Sequence, residues 1–426
     1  MISLILFGTL ALFLILNVPV GIALGGASLL TIMYSKTIGI NYIAQNLVTS
    51  VDSFPIMAVP FFILAGELMG AGGISRRLLN TVNVFFGRIT GGLAIVTVVV
   101  CMFFAAISGS GPATVAAIGG MVVPTMLQKG YDRRFTLALV AAAGSIGVII
   151  PPSIPMVIYS VSTGNSISAL FMAGFIPGIL IGLGLIGWAF YYSKKMGYKG
   201  DETPFTWKRA GRELWDSKWA LVSPIIVLGG IYGGVFTPTE AAAVSVIYSF
   251  IVGVFVYKEL TFKDSFRVIR EAALTTGTIL VVIGCASAFT KILTIARVPM
   301  AIAEGMTSLT SNPIIIMLLI NIMLLIVGCF MDTLVAIMIL APIFLPVVKA
   351  VGIDPIHFGI IMIVNLAIGF ITPPLGVNLF VAARVGKTKL DEVVRGIGPF
   401  VIVMILLLML ITYIPQISLF LPNLFK

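Results

Sequence analysis

Charge is what this sequence has least of. Only 10% of its 426 residues are charged, whereas 59% are hydrophobic and the mean hydropathy is +1.15. A soluble domain carries about 25% charged residues, so these few charges cannot cover the surface of a water-soluble globule. With about 20 apolar residues per membrane-spanning helix, the chain has room for roughly ten to twelve spans. The composition therefore predicts an all-α polytopic membrane protein.

Signatures of metal, nucleotide and nucleic-acid binding are also missing. The single histidine, His357, excludes a His-rich metal cluster. Val381 stands where a phosphate-binding loop ending in Gly386-Lys387-Thr388 would need glycine, so no Walker A motif is present. The 26 Lys and Arg residues lie in short loops between apolar segments, which argues against nucleic acid as a partner. Three widely separated cysteines in apolar runs are predicted to be buried free thiols: Cys101, Cys285 and Cys329.

An internal repeat organises the chain. When the sequence is shifted by 222 residues against itself, identical residues coincide without a gap. Ten of these pairs, most of them proline or glycine, are Pro124/Pro346, Gly130/Gly352, Asp132/Asp354, Gly147/Gly369, Ile149/Ile371, Pro151/Pro373, Pro152/Pro374, Gly164/Gly386, Gly174/Gly396 and Pro177/Pro399. Similarity at a fixed shift is typical of a duplicated unit. We therefore predict a first copy at 1–192, a linker at 193–218 and a second copy at 219–426.

Each copy is predicted to contain five membrane spans and one re-entrant hairpin. The spans are predicted at 1–16, 18–34, 55–71, 135–162 and 169–192, and at 219–233, 238–257, 275–293, 358–383 and 398–421. Amphipathic segments at 40–52 and 262–274 are expected to lie in the membrane interface. A polar tip breaks each of two pairs of short apolar runs, 89–107 with 113–126 and 313–329 with 334–346. Such a break is tolerated only where the backbone is buried in protein or lines a cavity, so each pair predicts a hairpin.

The basic residues predict the orientation. Because five spans are an odd number, the second copy is expected to be inverted relative to the first. One side then holds 21 of the 26 Lys and Arg residues, in the loops 75–88, 127–134, 193–218, 258–272 and 384–397. The other side holds Lys36, Lys291, Arg297, Lys349 and Lys426. Basic loops are cytoplasmic, so we predict a cytoplasmic linker and two periplasmic termini.

Four broken helical elements predict a functional centre. Secondary transporters use inverted repeats with discontinuous helices to bind a substrate near the membrane midplane. Here the hairpin tips at 108–112 and 331–333 are expected to meet breaks at Pro151-Pro152 and Pro373-Pro374, since proline interrupts a helix. Free N–H groups at half-helix N-termini attract anions. Free carbonyls at half-helix C-termini can replace water around a cation such as Na⁺.

Several long motifs then resemble a known family. The runs FFAAISGSGPATVAAIGGMVVP, GVIIPPSIP, GGVFTPTEAAAV, GCFMDTLVAIMILAPIFLPV and GFITPPLGVNLF are similar to the large membrane subunit of TRAP (tripartite ATP-independent periplasmic) transporters. The resemblance covers essentially the whole chain and implies a transporter rather than an enzyme. It implies an elevator-type, Na⁺-coupled importer of organic acids such as sialic acid or C4-dicarboxylates in the bacterial inner membrane. It also implies two partners, a separate small four-helix membrane subunit and a periplasmic substrate-binding protein.

The motifs and the repeat together predict which residues bind the ions and the substrate. We expect two quasi-equivalent Na⁺ sites, with ligands among Ser108, Ser110, Gly147, Ile150 and Pro152, and among Gly328, Asp332, Gly369 and Thr372. The organic anion is expected between the tips, near Ser108, Ser110, Gly111, Pro152, Ser153, Asp332, Thr333, Pro374 and Asn378. No organic cofactor is expected. The transport domain is predicted at about 89–162 and 313–385, with the remaining spans as scaffold.

Three carboxylates in or beside predicted spans each have two interpretations. Asp332 is expected to contact a cation or the substrate, with capping of the following helix as the alternative. Glu240 either satisfies the free N–H groups of a first helical turn or takes part in transport. Glu67 is either functional or reaches the membrane interface.

The main alternative function is a stand-alone Na⁺/dicarboxylate symporter that needs no binding protein. An intramembrane hydrolase using Ser108 or Ser110 is disfavoured, because the only histidine is predicted near the periplasmic face and the membrane holds no second aspartate. A passive channel is disfavoured by the inverted repeat with hairpins.

Overall fold

The computed structural model describes residues 2–35, 38–201, 205–310 and 312–425. All regular secondary structure in these ranges is helical, which confirms the all-α prediction. Lys36 and Lys426, used above for the orientation, and residues 202–204 of the predicted linker lie outside the described residues.

Ten helices form the first copy. The first five are α1 Ile2–Ile15, α2 Val20–Ser35, α3 Asn41–Thr49, α4 Ala58–Ala71 and α5 Ile74–Phe86. The first hairpin consists of α6 Gly92–Ser108 and α7 Gly111–Gln128. An interrupted helix follows, with α8 Arg133–Ser145, a 3-10 turn Ile146–Val148 and α9 Ile154–Thr163, and the copy ends with α10 Ile167–Met196.

The second copy repeats the order of hairpin, interrupted helix and following long helix, but it has four helices before the hairpin instead of five. It begins with α11 Trp207–Tyr232, α12 Pro238–Ile251 with a π-helical turn Val252–Val256, α13 Phe262–Ile295 and α14 Val298–Leu309. The second hairpin is α15 Pro313–Phe330 with α16 Thr333–Ala350. The second interrupted helix is α17 Pro355–Gly369 with α18 Val377–Val385, followed by α19 Leu390–Tyr413 and α20 Gln416–Leu424.

The 222-residue shift also relates the ends of helices. Helices α7 and α16 coincide at both ends under this shift, α6 and α15 at their last residues, and α8 and α17 at their first. The same breaks therefore recur at the same places in both halves of the chain. The inverted orientation of the second half stays a prediction.

The described helices provide for several membrane crossings. Seven of them are long and apolar enough to span a membrane, or eight if α4 and α5, which meet at an angle of 65°, form one span. Shorter apolar helices add α1, α2, α6, α9 and α17. The protein is accordingly a multi-pass membrane protein.

Two predicted segment boundaries are wrong around α5 and α13. The predicted loop at 75–88 is mostly helix α5, whose basic residues Arg76 and Arg77 both pair with the Glu259 carboxylate. The predicted interfacial segment 262–274 and span 275–293 form one continuous helix of 34 residues. The shift pairs Pro55, which stands between α3 and α4 in the first copy, with Gly277, and glycine does not interrupt the helix there as proline would.

Three other boundaries differ from the prediction. The predicted linker 193–218 is helical at both ends, because α10 continues to Met196 and α11 begins at Trp207. The predicted last span 398–421 ends at Tyr413, where Pro415 precedes the separate helix α20. Helix α14 was not predicted.

The carboxylate of Glu240 has a capping role. The Thr237 hydroxyl caps α12 by accepting from the Glu240 N–H at 3.3 Å, and Glu240 Oε2 accepts from the Thr237 N–H at 2.8 Å. This reciprocal pair is a capping box. It confirms the structural interpretation of Glu240.

Close contacts join helices within two packed groups, which also touch each other through Gly66 and Ser108 and through Thr290 and Met338. In one, a Cβ on Gly25 of α2 would lie 2.9 Å from Cys285 Sγ of α13, and the Thr239 hydroxyl of α12 donates to the Phe54 carbonyl at 2.9 Å. In the other, a Cβ on Gly174 of α10 would lie 2.7 Å from the Ile149 carbonyl at the first break. The second group, which contains both hairpins and both interrupted helices, holds the candidate site.

All three cysteines are free, as predicted. Cys101 and Cys285 are buried and Cys329 is half-buried.

Candidate functional site

The first hairpin tip is a cluster of hydroxyl groups. After α6 ends at Ser108, Gly109 turns the chain in a left-handed conformation with φ +61°. Ser110 then caps α7, its Oγ accepting from the Ala113 N–H at 3.5 Å. The Thr114 hydroxyl donates to the Ser110 carbonyl at 2.8 Å and lies 3.1 Å from the Ser108 hydroxyl. Three hydroxyl groups therefore lie within about one helical turn.

The first break leaves backbone groups from two half-helices close together. Pro151 and Pro152, joined by a cis peptide bond, separate the 3-10 turn from α9. The Ser153 hydroxyl bridges this break, since it donates to the Val148 carbonyl at 2.6 Å and accepts from the Met156 N–H at 3.4 Å. One serine thus satisfies a carbonyl of the first half and an N–H of the second.

The first tip touches the first break through backbone atoms. The Ile154 N–H donates to the Gly109 carbonyl at 3.3 Å. A Cβ on Gly147 would lie 2.6 Å from both the Ser110 carbonyl oxygen and the Thr114 hydroxyl. Because a side chain would fill this space, glycine is what allows the close approach.

The residues predicted for the first ion site therefore lie together, and only the side chain of Ile150, where a backbone carbonyl was the predicted ligand, points elsewhere. Ser108, Gly147 and Pro152 are buried around the tip, next to half-buried Ser110. Ile150 instead packs against α10, where a Cβ on Gly178 would collide with its side chain. Only the backbone of Ile150 remains available to the site.

The second tip carries a carboxylate in place of a serine cap. After α15 ends at Phe330, Asp332 Oδ1 accepts from the Leu334 N–H at 2.9 Å and so caps α16. Thr333, the first residue of that helix, is buried. Capping by Asp332 is confirmed, while its contact with a cation or substrate stays a prediction.

The second tip also touches its own break. The Leu375 N–H donates to the Cys329 carbonyl at 3.0 Å. A Cβ on Gly369 would lie 2.5 Å from the Gly328 carbonyl oxygen and 2.9 Å from its Cα. Since Gly369 ends the first half of an interrupted helix, the hairpin tip lies at the depth of that interruption.

The two breaks differ in exposure. Pro152 is buried, whereas Pro374 is exposed and Leu375 is 37% exposed. Thr372 is half-buried, and its hydroxyl donates to the Ile368 carbonyl of its own helix at 2.8 Å. The second predicted site is therefore the more open of the two.

Asn378 connects the two halves of the candidate site. Its Nδ2 donates to the Ala141 carbonyl and to the Ser145 hydroxyl, both at 3.1 Å. A Cβ on Gly111, at the start of α7, would lie 3.3 Å from the Gly144 carbonyl and 3.4 Å from Asn378 Nδ2. The buried Asn378 Oδ1 accepts no hydrogen bond from a described residue. An acceptor thus remains available where the first tip meets the second interrupted helix.

One contact of the first tip was missed by sequence reasoning. A Cβ on Gly66 of α4 would lie 3.1 Å from Ser108 Cα, so α4 packs against the tip. Beside this contact, α4, α6, α7 and α13 enclose a cavity of about 390 Å³ with Glu67, Arg267 and Glu271 among its lining residues. A glycine inside an apolar span was the only sequence signal available.

The donors at these tips and breaks suit a hard cation. They are backbone carbonyls and hydroxyls with a single carboxylate, that of Asp332. Among the described residues, no group of three or more His, Cys, Asp and Glu side chains could hold a transition metal. Oxygen donors of this kind are the ligands of alkali and alkaline-earth cations rather than of zinc or copper.

Solved membrane transporters share this architecture. The chain matches the YdaH transporter of Alcanivorax borkumensis with a TM-score of 0.62, at 16% identity and over 88% of each chain. It matches MtrF of Neisseria gonorrhoeae with a TM-score of 0.54, at 14% identity and over 89% of this chain and 84% of that one. At such identities the likeness shows the fold alone, which is that of a polytopic membrane transport protein.

Sequence relatives narrow this class to one family. Residues 7–417 match the DctM component of the tripartite ATP-independent periplasmic transporters. The chain is 52% identical, over 98% of its length, to the isethionate TRAP transporter permease protein DctMQ of Oleidesulfovibrio alaskensis, of whose length it spans 66%. It is 41% identical to the C4-dicarboxylate TRAP transporter large permease protein DctM of Pseudomonas aeruginosa, over 94% of each chain. The chain belongs to the DctM component family of TRAP transporters, as its motifs predicted.

Replacing Gly369 by alanine should disturb the contact between the second tip and its break. The new Cβ would meet backbone atoms of Gly328, which cannot rotate away, so the hairpin must shift. We expect substrate uptake by cells that contain the complete transport system to fall about tenfold or more, with an unchanged amount of protein in the membrane. Gly398→Ala in α19 is the matched control, because its Cβ would meet nothing within 4 Å. Equal uptake by the two variants would contradict this role of Gly369.

Proposed function

We propose that this protein imports an organic acid anion across the bacterial inner membrane, driven by a Na⁺ gradient, as the large permease of a tripartite system. The observation that supports this most strongly is the pair of hairpin tips, each in backbone contact with the break of an interrupted helix. Family membership supports the assignment to a tripartite transport system.

The coupling ions would bind where each tip meets its break. In the first site, the Ser110 carbonyl, the Thr114 hydroxyl and the backbone at Gly147 already lie within contact distance of one another. In the second, the carbonyl of Gly328 approaches Gly369, with Asp332 on the same tip. A cation that replaces its water by these oxygens would hold tip and break together.

The anion would bind between the tips without a basic side chain. The tips and breaks at 108–111, 146–153, 328–333 and 369–378 contain neither lysine nor arginine. Four half-helices begin here, α7, α9, α16 and α18, and their free N–H groups carry partial positive charge. The negative group of the substrate would therefore rest on these N–H groups and on the bound cations.

The class of substrate follows from the relatives. Their printed names specify isethionate, C4-dicarboxylates and sialic acid. All are small organic anions that carry a carboxylate or a sulfonate group. We therefore propose an organic anion of this kind as the substrate, delivered by a periplasmic binding protein.

The packing supports an elevator movement of one helix group against the other. The proposed scaffold contains α1–α4 and α11–α13, and the proposed moving unit contains the hairpins and interrupted helices.

The sequence-based prediction left the last span of each copy in the scaffold. We assign α10 and α19 to the moving unit, because a Cβ on Gly174 would lie 2.7 Å from the Ile149 carbonyl, and one on Gly396 would lie 2.5 Å from the Arg134 carbonyl.

The proposed orientation places the linker in the cytoplasm and both termini in the periplasm. It is supported by the uneven distribution of Lys and Arg residues. Arg267, which lines the cavity beside the first tip, belongs to a predicted cytoplasmic loop. That cavity would then open toward the cytoplasm, as a release path requires.

Sodium dependence tests the proposal directly. Uptake should require Na⁺ and stop when choline or K⁺ replaces it. Ser110→Ala and Asp332→Ala should each lower uptake about tenfold or more and raise the Na⁺ concentration needed for half-maximal uptake. Ser308→Ala in α14, whose hydroxyl bonds only within its own helix, is the control. Uptake that runs equally well in K⁺ buffer would overturn the Na⁺ coupling.

Reconstitution distinguishes the tripartite system from a stand-alone symporter. Vesicles that contain only this chain, with substrate outside and an inward Na⁺ gradient, should accumulate almost no substrate. Adding the small membrane subunit and the binding protein should start uptake. Full uptake by the single chain would instead support the symporter alternative.

Crosslinking tests the movement. The Thr290 hydroxyl of α13 donates to the Met338 carbonyl of α16 at 3.0 Å, across the proposed boundary. Cysteines at these two positions, joined by Hg²⁺ after the native cysteines are replaced by alanine, should stop uptake. The control variant keeps Cys285 as its only native cysteine and joins it to Gly25→Cys within the scaffold, which should leave uptake intact. Transport that survives complete crosslinking of the first pair would exclude this movement.

A further inference from the structure

A chain of buried polar side chains runs through the second copy, away from the tips. Asn365 Nδ2 of α17 donates to the carbonyl oxygen and to Oδ1 of Asn321 in α15, at 3.1 and 3.0 Å. Asn321 Nδ2 donates to the Thr412 hydroxyl of α19 at 3.0 Å. Both asparagines are completely buried. Amide groups at this depth of a membrane protein are rare enough to need an explanation.

The series of buried polar side chains continues toward the surface at the far end of the second hairpin. His357 Nε2 lies 3.2 Å from the Thr412 carbonyl, and His357 Nδ1 lies 2.6 Å from the Ser418 hydroxyl of α20. Because a carbonyl only accepts, Nε2 carries a proton, and in the neutral ring Nδ1 accepts from Ser418. His357 and Thr412 also line a cavity of about 270 Å³ between the ends of α15, α17 and α19.

The first copy shows that the fold does not need these polar groups. Under the 222-residue shift, all five positions are apolar in the first copy. The pairs are Asn321/Val99, His357/Phe135, Asn365/Ala143, Thr412/Phe190 and Ser418/Met196. The last residues of α6 and α15 and the first residues of α8 and α17 nevertheless coincide under the shift. Apolar packing is therefore sufficient for this arrangement of helices.

The asparagine pair also leaves a polar atom unsatisfied. Asn365 Nδ2 faces two oxygens of Asn321, which fixes the orientation of the amide and turns Oδ1 away. Asn365 Oδ1 is buried and accepts no hydrogen bond from a described residue. An unsatisfied buried acceptor destabilises a protein, so stability alone does not account for the pair.

The position of the pair relates it to the second candidate ion site. Asn365 lies four residues, about one helical turn, before Gly369, and Asn321 lies seven residues, about two turns, before Gly328. These two glycines form the contact between the second tip and its break. Among the described residues, the bonds between Asn321 and Asn365 are the only side-chain hydrogen bonds that join α15 to α17.

We propose that Asn321 and Asn365 are positioning residues for the second coupling ion. Their directional hydrogen bonds set the register of α15 against α17 and thereby the position of the Gly328 carbonyl at the break. Apolar contacts hold the corresponding helices together in the first copy, but they do not fix the position of one carbonyl as closely as directional hydrogen bonds do. This inference rests on the proposed Na⁺-coupled function and assigns one part of that coupling to a pair of residues that contact neither ion nor substrate.

The test replaces the two asparagines of the second copy by the residues that stand at the paired positions of the first copy. The double variant Asn321→Val with Asn365→Ala removes both amides together, so neither is left unpaired. We expect thermal stability close to that of the wild type, and a half-saturating Na⁺ concentration for uptake raised about fivefold or more. A lower Hill coefficient for Na⁺ should accompany the shift, because only one of the two sites is altered.

A buried asparagine of the scaffold provides the matched control. Asn46 Nδ2 of α3 donates to the Gly284 carbonyl of α13 at 3.2 Å, and the shift pairs Asn46 with Val268. Asn46→Val should leave the Na⁺ dependence unchanged, whatever its effect on stability. The single variant Asn365→Ala should both destabilise the protein and raise the Na⁺ requirement, since it leaves the buried Asn321 Oδ1 without its donor.

The outcomes separate this inference from the proposed function. If wild-type uptake does not depend on Na⁺, the proposed function fails. If it does, and the stable double variant keeps the wild-type half-saturating concentration and Hill coefficient, the pair is structural only and this inference is wrong. If the double variant does not insert, the Na⁺ dependence of Asn321→Gln, which keeps an amide but displaces it, decides: an unchanged value overturns the positioning role.

Discussion

The structure depends on satisfying the backbone groups that broken helices release inside a membrane. An uninterrupted helix satisfies its own N–H and C=O groups, but a break in lipid would leave several exposed at high cost. Here each break is closed by the tip of a hairpin, through the Ile154 N–H and the Gly109 carbonyl in the first copy and the Leu375 N–H and the Cys329 carbonyl in the second. The need to satisfy these backbone groups thus determines that each tip contacts a break. The oxygen atoms that these contacts bring together form the candidate site.

Proline, glycine and capping residues made much of this predictable from the sequence. Pro151-Pro152 and Pro373-Pro374 indicated the breaks, and the polar tips at 108–112 and 331–333 indicated where each hairpin turns. Helix α5 was missed because its basic residues are typical of a loop, and the carboxylate that neutralises them, Glu259, is 182 residues away from Arg77. The hydrogen bonds of Asn378 to α8 were equally invisible, since they join residues more than 230 positions apart. Local patterns specify elements, whereas pairings between distant elements arise only in the folded chain.

Duplication supplied the frame, and divergence gave its two halves different chemistry. The tips share their helix ends, yet one is capped by Ser110 and the other by Asp332. The first break is buried among hydroxyl groups, and the second is exposed. Polar side chains link α15 to α17 and α19 where the first copy has only apolar residues. A quasi-symmetric frame can place two ion sites at equal depth while allowing them different affinities.

The charges of the candidate site explain why an organic anion would bind there only together with cations. Asp332 carries the only carboxyl group among the tips and breaks, so an ionised Asp332 without bound cations would make the centre negative and repel an organic acid. Two Na⁺ ions would bring its formal charge to +1, and a monoanion would then make the loaded centre neutral. Moving a charged centre through a membrane is costly, so the fully loaded state is the one best suited to cross. In the proposed function, coupling would follow from this electrostatic balance together with the backbone contacts. The carbonyls at the tips and breaks carry no net charge, but they would hold the cations that neutralise Asp332 and the anion.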